Sequence, residues 1–394
     1  MTTCGKHFCI LPFVHIHMES SGDLSPCCIN STAMGNVNDG TLQDLWQSEK
    51  YRQLRTAMLN DAYIPGCEIC YSQERGKHHS LRTHSNEKFA RFIERAAVTP
   101  DDPVYFDLRF SNLCNLKCRS CEHKSSSLWF DDAKALGLAA DNQALIKASN
   151  DSASLLQQIR NYLPNAVEFY FAGGEPLVME EHYALLDMLI AEGRTDVRLV
   201  YNSNFMKVQF RGKTIFDFWR HFSNVELCIS LDAINETASY VRKGTRFADL
   251  VENRRLLGEL TPHIKVTCTP TVSLLNIGSL DKLLQFILDR KFCDPGKIHL
   301  NILEYPLYYN IKAAPQHVKD LIRNRLDVFS ASIAHHAHLT GQIANVLQYL
   351  SSGDLTGELE HFREVTLKLD ALRGEDYKHI LADDDPARLI LEQR

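Results

Sequence analysis

Several features of membrane, secreted and nucleic-acid-coating proteins are missing from this sequence. No uninterrupted run approaches the roughly 18 apolar residues of a membrane-spanning helix, and the first residues, MTTCGKHFCI, lack the basic-then-apolar order of a signal peptide. The 394 residues include 43 Lys and Arg against 49 Asp and Glu, a formal net charge of −6, which excludes a strongly basic, histone-like partner of nucleic acid. The chain shows no internal repeat and no low-complexity segment. We therefore expect a cytoplasmic protein that has no membrane partner.

The composition is that of an ordinary globular protein. Hydrophobic residues make up 44%, charged residues 23% and aromatic residues 9% of the chain, values far from those of disordered or fibrous proteins. A chain of this length is expected to form one large domain and a smaller one.

The twelve cysteines are distributed unevenly. In a reducing compartment, thiols at close spacings are more often metal ligands than disulfide partners. Cys228 and Cys268 lie in apolar, strand-like runs and are predicted to be plain core residues. Seven others lie in the first third of the chain at close spacings typical of metal ligands, namely Cys9, Cys28, Cys67, Cys70, Cys114, Cys118 and Cys121.

Residues 1–75 contain little regular structure. LPFVHIH predicts a short strand, and TLQDLWQSEKYRQLRTAML predicts one helix that starts at a Thr or Asp. Because such a segment buries little apolar surface alone, a metal centre would supply the missing constraint. A connector follows at residues 76–102, with six Lys or Arg against three Glu between Glu74 and Arg95. Those charges indicate either a solvated helix face or contact with a polyanion.

The region 103–306 alternates strand-like and helix-length segments. Such βα units form a parallel sheet covered by helices, and six consecutive units favour a partial (β/α)6 TIM-like barrel in an α/β fold. The six runs are VYFDLRF, VEFYFAGG, VRLVYNSN, VELCISLDA, IKVTCTPTV and KIHLNILEY.

Residues 307–394 are predicted to be a helical extension that packs on the barrel or on a second copy. Its apolar positions at helical spacing are Leu355, Leu359, Phe362, Val365, Leu369 and Leu372.

The strongest chemical signal is the trio Cys114, Cys118 and Cys121 in SNLCNLKCRSC. Three thiolates within eight residues hold three irons of a four-iron cluster and leave one iron open. A structural zinc site is normally closed by four ligands, and His123 is the nearest residue that could close one. The trio follows the first barrel strand, so it is expected at the carboxyl-terminal mouth, where such folds carry their active sites.

This CxxxCxxC spacing, together with AGGEP at the end of the second strand, resembles the radical S-adenosylmethionine (SAM) enzymes over about residues 103–305. The resemblance implies a [4Fe-4S] cluster whose open iron binds SAM. It also implies reductive cleavage of SAM to a 5′-deoxyadenosyl radical, which abstracts hydrogen from a substrate.

The resemblance also implies which residues contact SAM. Gly173, Gly174 and Glu175 match the family's contact to the SAM amino group, and Asn202 and Asn204 fall where polar contacts to SAM are found. Ser230 and Asp232 match the ribose contacts, and Arg242 matches the partner of the SAM carboxylate. Ser120 departs from the family pattern, because the residue before the third cysteine is often aromatic. No catalytic acid or base is assigned.

The N-terminal cysteines resemble the SPASM or twitch module, which holds an auxiliary iron–sulfur cluster. Here the module precedes the barrel, whereas in most relatives it follows it. The resemblance implies a second, auxiliary [4Fe-4S] cluster bound by Cys9, Cys28, Cys67 and Cys70, with Cys27 as the alternative to Cys28. Four thiolates fill one cluster, so a conduit or structural role is expected. A zinc ribbon built on the same four cysteines is the other interpretation.

The expected function is therefore hydrogen abstraction from a substrate, with a peptide or protein side chain as the first candidate. A reductant such as flavodoxin or ferredoxin is the implied electron donor. The alternatives are modification of RNA, a nucleoside or another small molecule, and a non-catalytic iron–sulfur or zinc scaffold. Residues after the sixth strand either line the substrate pocket or pack the strand end; they are Glu304, Tyr305, Tyr308 and Tyr309.

Overall fold

The computed structural model describes residues 5–96, 102–138 and 143–392. These residues form an α/β fold, as predicted. The strands are β1 (His15–Met18), β2 (Asp23–Ser25), β3 (Gly35–Asn36), β4 (Tyr105–Leu108), β5 (Lys117–Cys118), β6 (Glu168–Phe171), β7 (Arg198–Ser203), β8 (Gln209–Phe210), β9 (Lys213–Thr214), β10 (Val225–Ile229), β11 (Arg242–Lys243), β12 (Lys265–Cys268), β13 (Thr271–Val272) and β14 (Asn301–Ile302). The α-helices are α1 (Leu11–Val14), α2 (Leu42–Trp46), α3 (Glu49–Leu59), α4 (Glu68–Arg75), α5 (Leu81–Lys88), α6 (Ile93–Ala96), α7 (Phe130–Ala135), α8 (Ser152–Arg160), α9 (Glu180–Ala191), α10 (Ile215–Trp219), α11 (Asn235–Val241), α12 (Phe247–Leu260), α13 (Leu280–Asp289), α14 (Gln316–Ser332), α15 (Ala337–Ser351), α16 (Leu359–Arg373), α17 (Tyr377–Ile380) and α18 (Pro386–Glu392).

The chain divides into two compact units. Unit 1 comprises Met1–Asn112, Leu145–Tyr201 and Phe218–Val225, and unit 2 comprises Leu113–Ala144, Asn202–Asp217 and Glu226–Arg394.

Unit 1 is built on a sheet in the order β3, β2, β1, β4, β6, β7. The pairs β1–β4, β4–β6 and β6–β7 are parallel, and β1–β2 and β2–β3 are antiparallel. One row of the register, Ile16, Phe106, Phe169 and Leu199, is almost completely buried. Because side chains alternate along a strand, the neighbouring residues of β1 and β4 face the opposite side of the sheet.

Unit 2 contains the parallel pairs β10–β12 and β13–β14, the antiparallel pair β5–β11 and the hairpin β8–β9. Helices α13 to α16 and α18 form most of its helical layer, with α14 in contact with both α13 and α15. In the described part of either unit, no strand pairing closes the sheet on itself, which agrees with the predicted partial barrel.

All six predicted barrel strands are present. They correspond to β4, β6, β7, β10, β12 and β14. Each is a β-branched or aromatic run that is followed by helix or turn structure, so the two-residue period was sufficient to find them.

The N-terminal segment is better packed than its irregular sequence suggests. Phe8, Phe13 and Met58 are buried in one hydrophobic cluster that also includes Phe89 and Val104. Strand β1 lies beside β4 in parallel, so this segment extends the sheet of unit 1. LPFVHIH is a helical turn, α1, followed by β1, rather than one strand.

The predicted single helix of the N-terminal segment is two helices, α2 and α3. Thr41 caps α2 by accepting a hydrogen bond from the Asp44 amide at 3.1 Å, as the predicted Thr start requires. The prediction of one continuous helix is wrong, because Ser48 has extended backbone geometry and caps α3 by accepting from the Tyr51 amide. A second capping residue inside a periodic run ends one helix and begins another.

The C-terminal extension is helical, as predicted. Phe362, Val365 and Leu369 of α16 are buried, whereas Leu372 is 48% exposed and was wrongly assigned to the apolar face. Val365 and Leu369 pack against Trp129 of the segment that follows the cysteine trio. Among the described helices, none combines the length and the apolar character that crossing a bilayer requires.

Candidate metal and cofactor sites

The structure brings Cys114, Cys118 and Cys121 together in unit 2. The Cys121 amide donates to the Cys118 carbonyl at 3.1 Å, and the two thiols share a hydrogen bond. Cys118 is buried, and Cys114 and Cys121 are half-buried. The Nε2 of His123, the residue that could close a zinc site, lies 2.9 Å from the Gln143 carbonyl.

Electrostatics around this trio favour a thiolate. The hydrogen bond with Cys121 lowers the pKa of Cys118 to about 7, and the positive charge of Arg242 acts in the same direction against the effect of burial. The same hydrogen bond raises the pKa of Cys121. Since a thiolate is the ligand form of cysteine, Cys118 is prepared for metal binding near neutral pH.

The loop between the second and third cysteines is anchored by a buried arginine. Arg119 donates from Nε to the Tyr240 carbonyl at 2.9 Å, and its guanidinium lies 3.9 Å from the centre of the Tyr240 ring. It also forms ion pairs with Asp370 at the end of α16 and with Glu375, the latter at 2.6 Å. A buried guanidinium with two carboxylates and a ring face is held in one geometry, so it restrains the loop.

Arg242 and Asp232 form one polar unit beside Cys118. Arg242 Nε lies 2.6 Å from Asp232 Oδ2, and its Nη1 lies 3.5 Å from Cys118 Sγ. The pairing of β11 with β5 sets Arg242 opposite Cys118. Asp232 Oδ1 accepts a hydrogen bond from the Thr271 amide at 2.8 Å. The main-chain carbonyl of Asp232 accepts another from Asn276 Nδ2 at 2.8 Å.

The remaining polar residues predicted in unit 2 differ in exposure. Asn204 is buried, and its Nδ2 donates to Asn115 Oδ1, inside the cysteine loop, at 2.9 Å. Asn202 is exposed. Ser230 is half-buried, and its amide donates to the Ser203 carbonyl at 2.9 Å.

The GGEP segment lies in unit 1. Gly173 and Gly174 have φ values of +74° and +49°, which L side chains rarely adopt. A Cβ on Gly173 would come within 2.6 Å of the Arg109 side chain. Glu175 is buried, and its carboxylate accepts from the Leu177 amide at 3.1 Å. The two consecutive positive φ values turn the backbone shortly after the end of β6.

Four N-terminal cysteines also lie together, but Cys27 stands where Cys28 was predicted. Cys9, Cys27, Cys67 and Cys70 line a cavity of about 20 Å³ in unit 1. Cys28 is exposed, and the charges nearest to it include those of Asp107 and Arg109. The chain bends at residues 26–29, and of the doublet Cys27 lines the cavity whereas Cys28 does not. The structure therefore favours Cys27 over the predicted Cys28 as the fourth ligand.

Asn30 places two hydrogen-bond donors against two of these four thiols. The Asn30 amide lies 3.4 Å from Cys27 Sγ, and Asn30 Nδ2 lies 3.5 Å from Cys67 Sγ. A Cβ on Gly66 would come within 2.5 Å of the Asn30 side chain, so glycine is needed there. Burial raises the pKa of Cys9, Cys27 and Cys67. These donors suit cluster sulfurs and ligand thiolates, whose properties depend on hydrogen bonds of this kind.

Three of the six basic residues between Glu74 and Arg95 form ion pairs inside unit 1. Arg82 pairs with Glu74, Arg75 pairs with Glu68, and Lys88 lies 2.6 Å from Glu168. Residues 97–101 lie outside the described residues. Side chains that already hold carboxylate partners have less capacity to bind phosphates.

Four residues after the sixth predicted strand were expected either to line the substrate pocket or to pack the strand end, and the structure shows two of each kind. Glu304 and Tyr305 border a cavity of about 250 Å³ in unit 2, and Tyr305 is 73% exposed. Tyr309 is completely buried, and Tyr308 packs against the His361 ring. The first two are available to a ligand, and the last two are packing residues.

Comparisons with known proteins support the N-terminal assignment. Residues 9–71 match the model of the SPASM family, an iron–sulfur cluster-binding domain, which confirms the predicted auxiliary module. A search among curated proteins finds no match.

Solved structures show weaker likeness. The chain is similar to anSMEcpe with bound AdoMet, at 17% identity and a TM-score of 0.42, over 59% of this chain and 59% of that chain. It is similar to Streptococcus suis SuiB bound to S-adenosylmethionine, at 16% identity and a TM-score of 0.41, over 71% of this chain and 62% of that chain. The SuiB structure bound to precursor peptide SuiA gives 12% identity and a TM-score of 0.38, over 79% and 60%. The chain thus spans about three fifths of the length of these proteins, and its assignment rests on its own residues.

Two parts of the site were not found from the sequence. The anchoring of the cysteine loop by α16 joins residues about 250 positions apart, which no local pattern reports. The role of Asn30 as a donor to two thiols was also missed, although its place three residues after Cys27 is typical of a turn that donates amides to a sulfur.

Proposed function

We propose that this chain is a radical SAM enzyme with an auxiliary iron–sulfur cluster, and that it abstracts hydrogen from a peptide or protein side chain. The observation that carries the proposal is the convergence of Cys114, Cys118 and Cys121 in unit 2, with Arg242 beside Cys118. Three thiolates leave one iron of a [4Fe-4S] cluster without a protein ligand.

The residues around the trio suit SAM chemistry. When bound there, the cluster supplies the electron that cleaves SAM to methionine and a 5′-deoxyadenosyl radical. Arg242 holds a positive charge next to the trio, which suits the SAM carboxylate. Asp232 orients Arg242 through Oδ2, and its Oδ1 accepts a hydrogen bond from the Thr271 amide. Within unit 1, the role of SAM contact proposed for Glu175, which follows two left-handed glycines, rests on the sequence resemblance alone.

The auxiliary cluster is proposed to be held by Cys9, Cys27, Cys67 and Cys70. Four ligands close the cluster, so it does not bind substrate through iron and its role is electron transfer or support of the fold. A flavodoxin- or ferredoxin-type protein is the proposed reductant.

The substrate class, a peptide or protein side chain, follows the sequence resemblance to enzymes that carry SPASM modules. The RNA alternative is disfavoured because three of the six basic residues that suggested it are paired with carboxylates.

The test is formation of 5′-deoxyadenosine by the anaerobically reconstituted full chain with SAM and dithionite, measured by mass spectrometry. Cys118→Ala should abolish the product. Cys228→Ala is the matched control and should retain it, because Cys228 lies outside both cysteine sets and bonds Thr269 at 3.0 Å.

Cys67→Ala separates the two sites. We expect this variant to keep some SAM cleavage that is uncoupled from substrate turnover. A wild-type chain with full iron content that forms no 5′-deoxyadenosine would support the non-catalytic scaffold instead.

A further inference from the structure

A third group of ligand-type side chains lies on the sheet of unit 1. His15, His17 and Asp107 are buried, and one ligand atom from each lies within 4.8 Å of the others. His15 and His17 alternate on β1, and Asp107 is the register partner of His17 on β4. All three therefore project from one face of the sheet, opposite the buried row that includes Ile16 and Phe106.

His15 has one nitrogen engaged and one without a partner. Its Nδ1 lies 3.3 Å from the Pro26 carbonyl, and its buried Nε2 makes no hydrogen bond. The ring is stacked on Tyr105 with centroids 4.2 Å apart, which restrains its orientation. A neutral ring with one nitrogen held by a carbonyl is the form in which histidine binds metals.

His17 lies between two carboxylates. Its Nε2 is 2.9 Å from Glu19 Oε1, and its Nδ1 is 2.8 Å from Asp107 Oδ2. Both oxygens are acceptors, so each ring nitrogen donates a proton in the metal-free chain. A metal ion at Nδ1 would replace the proton shared with Asp107, while Nε2–H stays on Glu19. This is the arrangement in which an outer carboxylate orients a metal-binding histidine.

Asp107 has spare acceptor capacity. Its Oδ1 is buried and accepts no hydrogen bond, and the nearest cation is Arg109 Nε at 3.7 Å. Arg109 also forms an ion pair with Glu19 at 2.8 Å, so its positive charge is shared between Glu19 and Asp107. The other nearby cation, Lys88, is paired with Glu168. The carboxylate is therefore not saturated by the basic residues around it.

We propose that His15, His17 and Asp107 form a mononuclear site for a divalent transition-metal ion, separate from both cysteine sets. Two imidazoles and one carboxylate on one face form the ligand set of non-haem iron and related sites, with positions left open for other ligands. The alternative is a plain hydrogen-bond network. It would leave His15 Nε2 and Asp107 Oδ1 buried without hydrogen bonds, which is unfavourable for buried polar atoms.

The site does not depend on the proposed radical chemistry, and its test uses no activity. The cluster-loaded full chain is titrated anaerobically with Mn(II), which prefers nitrogen and oxygen ligands to thiolates. Free Mn(II) is followed by its paramagnetic resonance signal. We expect about one Mn(II) bound per chain, with pulsed spectra showing coupling to the nitrogen of imidazole. An unchanged free signal, or bound Mn(II) without nitrogen coupling, would overturn the site.

Variants locate the ion. His15→Asn and Asp107→Asn should each remove the binding, and Glu19→Gln should weaken it about 10–100-fold through the orientation of His17. His84→Asn is the matched control, since His84 is exposed on α5, and should bind as the wild type does. Iron content and melting temperature are measured for each variant. Equal Mn(II) binding by folded His15→Asn and Asp107→Asn would refute the assignment without reference to catalysis.

Discussion

Cys27 and Cys28 are neighbours in sequence with different surroundings. Cys27 lines the cavity shared with Cys9, Cys67 and Cys70, and it accepts from the Asn30 amide. Cys28 is exposed and lies near Asp107 and Arg109. A difference of this kind is set by the direction of the chain at the turn after Pro26, which sequence spacing alone does not report.

The choice of ligand predicts different iron contents for two alanine variants. Cys27→Ala should lose the auxiliary cluster, about four iron atoms per reconstituted chain. Cys28→Ala should keep the iron content of the wild type. The measurement is iron and sulfide analysis of the anaerobically reconstituted variants. Loss of iron in Cys28→Ala with retention in Cys27→Ala would restore the assignment made from the sequence.

His182 is a buried histidine with a packing role. It is completely buried, its Nε2 lies 3.0 Å from the Tyr201 hydroxyl, and its ring packs edge-on against Phe171. Burial lowers the pKa of His182 from 6.5 to about 3. The folded chain therefore keeps this ring neutral where the unfolded chain would protonate it.

This shift predicts an acid-dependent loss of stability. Between pH 6.5 and pH 3 the unfolded state binds one more proton at this position. The free energy of unfolding should therefore fall by up to about 1.4 kcal/mol per pH unit as the pH drops below 6.5, and no such loss should occur above it. His182→Gln should show a smaller difference in melting temperature between pH 7 and pH 5 than the wild type. An identical difference in both proteins would contradict the assigned cause.

Helix α16 links the C-terminal extension to the segment that carries the cysteine trio. Leu369 is completely buried against Trp129 and Ala133, and Asp370 pairs with Arg119 inside the cysteine loop. The helix ends at Gly374, whose φ of +61° is the left-handed cap typical of glycine. The extension thus supports the geometry of the loop from within unit 2.

Two leucines of α16 provide a matched pair of variants. Leu369→Ala should lower the free energy of unfolding by about 2–5 kcal/mol, because it opens a cavity in a packed cluster. Leu367→Ala should change it by about 0.5 kcal/mol or less, since Leu367 is 44% exposed on the same helix. Thermal unfolding of both variants checks this. Equal effects would mean that α16 is not packed as described.

Elements with a strong local pattern could be predicted from the sequence. The six barrel strands and the helical tail were predictable because their apolar periods are two and about 3.6 residues. The break between α2 and α3, the pairing of β1 with β4 and the burial of Arg119 were not. Each depends on a cap or on a partner distant in sequence, such as Asp370 for Arg119.

The candidate sites also contain some features that a local sequence pattern predicts and others that depend on residues distant in sequence. Spacing identified Cys114, Cys118 and Cys121, and the structure brings them together. The resemblance indicated Asp232 and Arg242, but their mutual ion pair depends on how β11 returns to β5. The cluster of His15, His17 and Asp107 needs the register of two strands about 90 residues apart, which no one-dimensional pattern contains.

The two compact units hold different parts of the proposed chemistry. Unit 1 carries the four proposed ligands of the auxiliary cluster, the GGEP turn and the His/Asp cluster. Unit 2 carries the three-cysteine loop with Arg242 and Asp232. Because one site has four thiolates and the other has three, only the second leaves an iron available to a small molecule.

The most direct measurement is paramagnetic resonance of the reduced Cys67→Ala/Cys70→Ala chain, which keeps only two thiolates of the N-terminal set, so that the cluster signal comes from the three-cysteine site. Spectra are recorded anaerobically with and without SAM, and Cys118→Ala serves as the control. A SAM-dependent change of the cluster signal in Cys67→Ala/Cys70→Ala, and none in Cys118→Ala, is the predicted result. A cluster signal in Cys67→Ala/Cys70→Ala that SAM leaves unchanged would contradict the proposal that this chain binds SAM at an open iron.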